Sequence, residues 1–115
     1  MKIGIIGGGF FCGNWSLPYE EHDVETPYGK PADLILSGQL GKHEIFTLQR
    51  HGKHNEYSPE VTPWKANIMG LFQQQIDFVI HVSLCGALNQ NFDSGDIFIF
   101  DQLIDYTNIK AEQTF

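Results

Sequence analysis

The chain has 115 residues, 42% of them apolar and 13% aromatic, enough for one modest core and about one domain. Fourteen acidic side chains oppose seven basic ones, and the net charge of −7 argues against nonspecific binding to nucleic acid or to an anionic membrane. Met1-Lys2 leads straight into an apolar run too short for a secretory h-region, and no run approaches membrane-span length, so a cytoplasmic setting with Cys12 and Cys85 as free thiols is expected.

Residues 2–6 read as a short buried strand opening into Gly7-Gly8-Gly9. A dinucleotide fingerprint would need a third glycine at Cys12 and a helix after the turn, and residues 14–18 do not look helical. Successive amides of a glycine turn can still form a nest that faces an anion. Residues 14–31, with prolines, glycine and acidic side chains, read as irregular. Residues 34–40 and 43–49 form two strands joined by Gly41-Lys42, a two-residue hairpin connection. The strongest helix signal follows: Thr62 as cap, Pro63 at the first helical position, then Trp64, Ile68, Leu71 and Phe72 at helical spacing. Residues 78–84 are nearly continuously apolar, as in a central strand, with His81 read as a packing histidine. A turn over Asp93-Ser94-Gly95-Asp96 precedes a last strand at 97–100, continuing toward Ile104. Five strands with one helix leave apolar strand faces uncovered, and the chain ends at Phe115 without a closing element, so it reads like half of a domain.

The most informative chemistry is Arg50-His51-Gly52, at the end of the strand that contains Ile45 and Leu48. A guanidinium fork matches phosphate oxygens, an adjacent imidazole adds a further polar contact, and glycine permits the sharp turn that lets them converge. Ser83 supplies one hydroxyl at the end of the next apolar strand, where ligands of open α/β sheets gather. Cys85, with no activating histidine fixed beside it, reads as a buried structural thiol. Asp93, Asp96, Asp101 and Asp105 read as structural, the last two flanking the end of a strand. His51 and His54 lack a third ligand, so no metal site is expected.

Taken together, Lys2-Ile3-Gly4-Ile5-Ile6-Gly7-Gly8, Glu25-Thr26-Pro27-Tyr28-Gly29-Lys30-Pro31, Arg50-His51-Gly52, Ala66-Asn67-Ile68, Cys85-Gly86, Gly95-Asp96-Ile97 and Asp101-Gln102-Leu103-Ile104-Asp105 resemble the N-terminal half of the 5′-methylthioadenosine phosphorylases and related purine nucleoside phosphorylases. The resemblance implies a three-layer α/β sandwich with a mixed central sheet, residues 1–115 being the N-terminal part of one such domain. It implies phosphorolysis of a methylthioadenosine-like purine nucleoside to the free base and a ribose 1-phosphate derivative, with inorganic phosphate as co-substrate and no other cofactor. By position, Arg50 and His51 match phosphate-binding residues, Ser83 stands for a usual Thr, and Leu84 stands where the backbone approaches phosphate and sugar. Gly9 stands for a Thr or Ser, so only its amide would contribute; Phe10 replaces a Gly and Asn55 a frequent His. The purine-recognising Asp and most sugar contacts belong to the family's second half, so no catalytic residue is assigned here. A homo-oligomer, commonly a trimer, is the family's expectation. The alternatives are a phosphate-independent nucleosidase and a non-catalytic homologue serving as a nucleoside-binding or interaction subunit.

Overall fold

The computed structural model of the chain describes residues 1–106. The segment ending at Phe115, read above as lacking a closing element, lies outside the described residues. Along the chain run β1 (Lys2–Gly7), α1 (Gly9–Cys12), β2 (Glu20–His22), β3 (Ile35–Leu40), β4 (His43–Gln49), α2 (Trp64–Gln73) and β5 (Phe78–His81). The five strands form one sheet in the order β2-β3-β4-β1-β5. β1 is parallel to both neighbours, setting Ile6 opposite Leu48 of β4 and His81 of β5, whereas β2, β3 and β4 are joined by antiparallel pairings. The sheet is therefore mixed and the fold α/β, as the sequence predicts.

The alternation of side chains along each strand decides which face holds the core. Phe46 and Leu48 of β4, Ile6 of β1 and Ile35 of β3 fall on one face and pack against Leu71 of α2. These five are all buried, and Val24, Trp64 and Ile76 border them. The hairpin between β3 and β4 forms where Gly41-Lys42 predicts it, with Gly41 at φ 60°, a conformation other residues adopt at a cost.

Helix α2 begins one residue later than the sequence pattern suggests. Pro63, not Thr62, is its N-cap, and no side chain caps it. Thr62 is occupied elsewhere, its Oγ1 donating to the Ser58 carbonyl at 2.8 Å. The buried stripe is Ala66, Asn67, Gly70 and Leu71, while Ile68 and Phe72 are exposed. Each helical step turns about 100°, so the residue after Leu71 leaves the face that meets the sheet.

Four further expectations are corrected. The segment 14–31 contains β2, which pairs with β3 through short antiparallel contacts that carry no apolar pattern of their own. One turn of helix, α1, does follow the glycines, held by Cys12 N–H donating to the Gly8 carbonyl at 3.2 Å. β5 ends at His81 rather than at residue 84, and it is the edge of the described sheet rather than its centre. Residues 97–100 form no strand: a strand exists through ladder hydrogen bonds, and no neighbour among the described residues supplies them. Asp101 and Asp105 therefore do not flank a strand end.

Candidate functional site

β4, β1 and β5 lie side by side and parallel, so their C-terminal ends come together. Main-chain bonds tie these ends: Arg50 N–H donates to the Gly7 carbonyl at 2.9 Å, and Val82 N–H to the Ile6 carbonyl at 2.9 Å. The three glycine-bearing segments singled out in the sequence thus meet at one edge of the sheet.

At that edge the Arg50 side chain gathers a cluster. Its Nε donates to His51 Nε2 at 2.8 Å. Its Nη1 lies 2.9 Å from His81 Nε2, 3.1 Å from the Val82 carbonyl and 3.4 Å from Ser83 Oγ. Since guanidinium nitrogens only donate, both imidazole Nε2 atoms act as acceptors and carry no proton. The remaining proton of His51 then sits on Nδ1, which donates to Thr62 Oγ1 at 2.9 Å, while the Thr62 hydroxyl proton goes to Ser58. Burial first, then the Arg50 charge, holds the His51 pKa below its ordinary value. His81 is lowered by the same two causes, with a further contribution from His51.

Gly52 makes the turn behind this cluster. It adopts φ 85°, and a Cβ there would run into the Glu56 carboxylate and lie 3.2 Å from the Ala32 carbonyl. Asn67, fully buried on α2, fixes the same turn from below: its Nδ2 donates to the Arg50 carbonyl at 3.2 Å and its Oδ1 accepts from Ala32 N–H at 2.7 Å. Asn55 stands at φ 56°, a region that Asn tolerates better than most residues.

The structure brings together Arg50, His51 and Ser83. Gly9 opens α1 at the neighbouring strand end, where its Cβ position lies 3.0 Å from Gln49 Oε1. Leu84 follows Ser83 along the chain and is 82% exposed, outside the hydrogen-bonded cluster. Cys85 is exposed rather than buried, because no element among the described residues covers the chain beyond β5; Cys12 is the buried thiol, and burial raises its pKa. His81 is not a packing histidine but an exposed member of the cluster. Its one sequence signal is its place at the end of an apolar run, where alternation turns it to the face that carries α2. Among the described residues no group of His, Cys, Asp and Glu is arranged to hold a metal ion.

Arg50 forms no ion pair with a carboxylate among the described residues; the salt bridges are Lys2–Glu44 and Lys30–Asp23. In a chain with twice as many acidic as basic side chains, this half-buried guanidinium is held by neutral acceptors and its charge is not paired among the described residues. A separate cavity of about 150 Å³ lies across the sheet, lined by Thr47, Gln49, Trp15 and Lys53. Thr47 Oγ1 and Trp15 Nε1 have no hydrogen-bond partner there, and a polar space of that size suits ordered water.

No protein-family model matches the chain. It is 41% identical over 114 residues to the S-methyl-5′-thioadenosine phosphorylase of Pyrococcus furiosus, covering 99% of this chain and 44% of that protein. The enzyme of the same name from Mycolicibacterium smegmatis is 35% identical over 115 residues, again 44% of its length. Among solved structures, methylthioadenosine phosphorylase from Schistosoma mansoni without ligand superposes with a TM-score of 0.76 at 31% identity, over 83% of this chain and 34% of that one. A methylthioadenosine phosphorylase from an Antarctic soil metagenome gives 0.63 at 32% identity, over 69% of this chain and 28% of its own. The chain spans less than half the length of the curated relatives it matches. By sequence and by fold it is a relative of the S-methyl-5′-thioadenosine phosphorylases.

Proposed function

We propose that this chain is part of an enzyme that cleaves a methylthioadenosine-like purine nucleoside with inorganic phosphate, and that it supplies the phosphate site. One observation carries the reading: a guanidinium without a carboxylate partner among the described residues, at the joined C-terminal ends of three parallel strands, in a relative of phosphorylases. Arg50 would hold the phosphate oxygens, with His51 beside it, Ser83 adding a hydroxyl and Gly9 a main-chain amide. Leu84 would border the sugar. In the reaction a phosphate oxygen bonds to the anomeric carbon as the bond to the purine nitrogen breaks, and positive charge develops on the sugar. A fixed phosphate serves both as positioned nucleophile and as the counter-charge to that sugar. The likeness to phosphorylases supports this assignment, as does the neutrality of both imidazoles, which leaves Arg50 as the cation of the cluster.

Phosphate titration by calorimetry tests it. Arg50→Ala should remove a charge-assisted contact worth roughly 1.5–3 kcal/mol, and Ser83→Ala a neutral one worth about 0.5–1.5 kcal/mol. Unchanged phosphate affinity in the Arg50→Ala chain would sink the assignment. Purine release from methylthioadenosine that does not depend on phosphate would point to a nucleosidase instead.

A further inference from the structure

Two imidazoles flank one guanidinium, and the fold treats them differently. His51 is tied at both ring nitrogens, to Arg50 Nε through Nε2 and to Thr62 Oγ1 through Nδ1. Because Thr62 spends its own proton on the Ser58 carbonyl, it can only accept from His51. A second proton on His51 would set N–H against the Arg50 N–H. His81 is tied at one nitrogen alone: Nε2 accepts from Arg50 Nη1, Nδ1 has no hydrogen-bond partner among the described residues, and the residue is exposed.

Arg50 Nη1 carries two protons yet faces three acceptors: His81 Nε2, the Val82 carbonyl and Ser83 Oγ. With Nε given to His51 and Nη2 without a hydrogen-bond partner among the described residues, an anion can add at Nη2, and one that also engages Nη1 must displace one of these. The Val82 carbonyl is fixed by the main chain, whose amide is bonded to the Ile6 carbonyl. The two side chains can let go: Ser83, whose Oγ makes the longest contact at 3.4 Å, and His81, the one of the pair that can take up a proton when it does.

We propose that His81 is a proton-linked ligand of this anion site: a tetrahedral dianion takes the place of His81 on Arg50 Nη1, and His81 binds a proton from solvent at Nε2 and donates it to the same anion. The inference rests on the anion-site reading above and deepens it. No covalent bond to the anion forms; one proton passes from solvent to the imidazole for each anion bound. The charged and titratable groups facing His81 are Arg50 and His51, beyond the end of β4. From α2 the neighbour is Trp64, whose ring centroid lies 6.0 Å away and which does not titrate. His81 makes no ion pair with a carboxylate among the described residues. Burial and then the Arg50 charge disfavour a proton on His81 in the resting state, and an anion placed beside the guanidinium opposes that field.

Sulfate is the probe, because it stays a dianion across the range in which phosphate itself titrates. Calorimetry of the 115-residue chain, between about pH 5.5 and 8 and in two buffers of different ionisation enthalpy, should show proton uptake approaching one per sulfate. Affinity should rise toward about tenfold for each unit that pH falls. Nitrogen-15 shifts of the His81 ring should report protonation on adding sulfate at a pH where the free chain holds it neutral. His81→Gln keeps a neutral acceptor for Arg50 but does not titrate, so its sulfate binding should lose both the proton uptake and the steep pH dependence. If sulfate binds through Arg50, as shown by loss in Arg50→Gln, but without proton uptake or a change at the His81 ring, the inference fails and the anion site stands. Proton uptake that persists in His81→Gln also overturns it. If Arg50→Gln binds sulfate like the parent chain, or the parent chain binds none, both readings fall together.

Discussion

Phe46 and Ile99 sit in similar apolar runs, Ile45-Phe46-Thr47-Leu48 and Ile97-Phe98-Ile99-Phe100, yet one is 2% exposed and the other 98%. The first run has β3 on one side, β1 on the other and α2 across its face. The second has no ladder partner and no covering element among the described residues, and its clearest packing contact is the tilted pair of Phe92 and Phe98 rings, 5.3 Å apart. β5 stands between these extremes, paired on one edge with β1 while Phe78, Val79 and Ile80 remain exposed. Apolar character marks a segment that needs cover; whether it is covered depends on what lies beside it.

Amide exchange should expose the largest contrast. Amides of β1 and β4 should exchange at least about a thousandfold more slowly than those of residues 84–104, roughly 4 kcal/mol of protection by RT ln K. Equal protection in both regions would show that the second also folds on the first. Truncation comes next: Phe46→Ala removes a ring from the packed face and should cost about 3–5 kcal/mol in urea unfolding. Loss of less than 1 kcal/mol, on the order of a surface change, would mean that the core is not where the buried side chains place it. Gly52→Ala should cost roughly 1–3 kcal/mol, from a positive φ and from contact with Glu56.

Acidification gives a smaller effect of defined sign. His51 and His81 have folded-state pKa values below the ordinary value, so the unfolded chain binds more protons as pH falls. The stability these neutral rings contribute is fully present above about pH 6.5 and is lost as pH falls through their lowered values. Urea midpoints that rise on acidification over that window would contradict the neutral cluster. The smallest expected change belongs to the exposed run: Ile99→Ser should stay within about 0.5 kcal/mol, and a larger loss would reveal contacts that its exposure denies.

The sequence by itself determined the strands that carry the core and the hairpin at Gly41-Lys42, and it singled out Arg50, His51 and Ser83 as candidates for an anion site, because periodicity, turn chemistry and residue type are local properties. The glycine turn after β1, Arg50-His51-Gly52 and the segment from Ser83 were each legible as strand ends, but only the parallel order β4-β1-β5 set them side by side. Short β2 was invisible because its pairing with β3 is supplied by the partner rather than by its own pattern. The last apolar run reads as a strand in sequence and forms none here, because a ladder is a property of two segments. His81 illustrates the point most sharply. Its residue type allows packing, metal binding or proton transfer alike. Only the register that sets it beside Ile6, and the reach of Arg50 from the neighbouring strand end, make it a partner of the guanidinium.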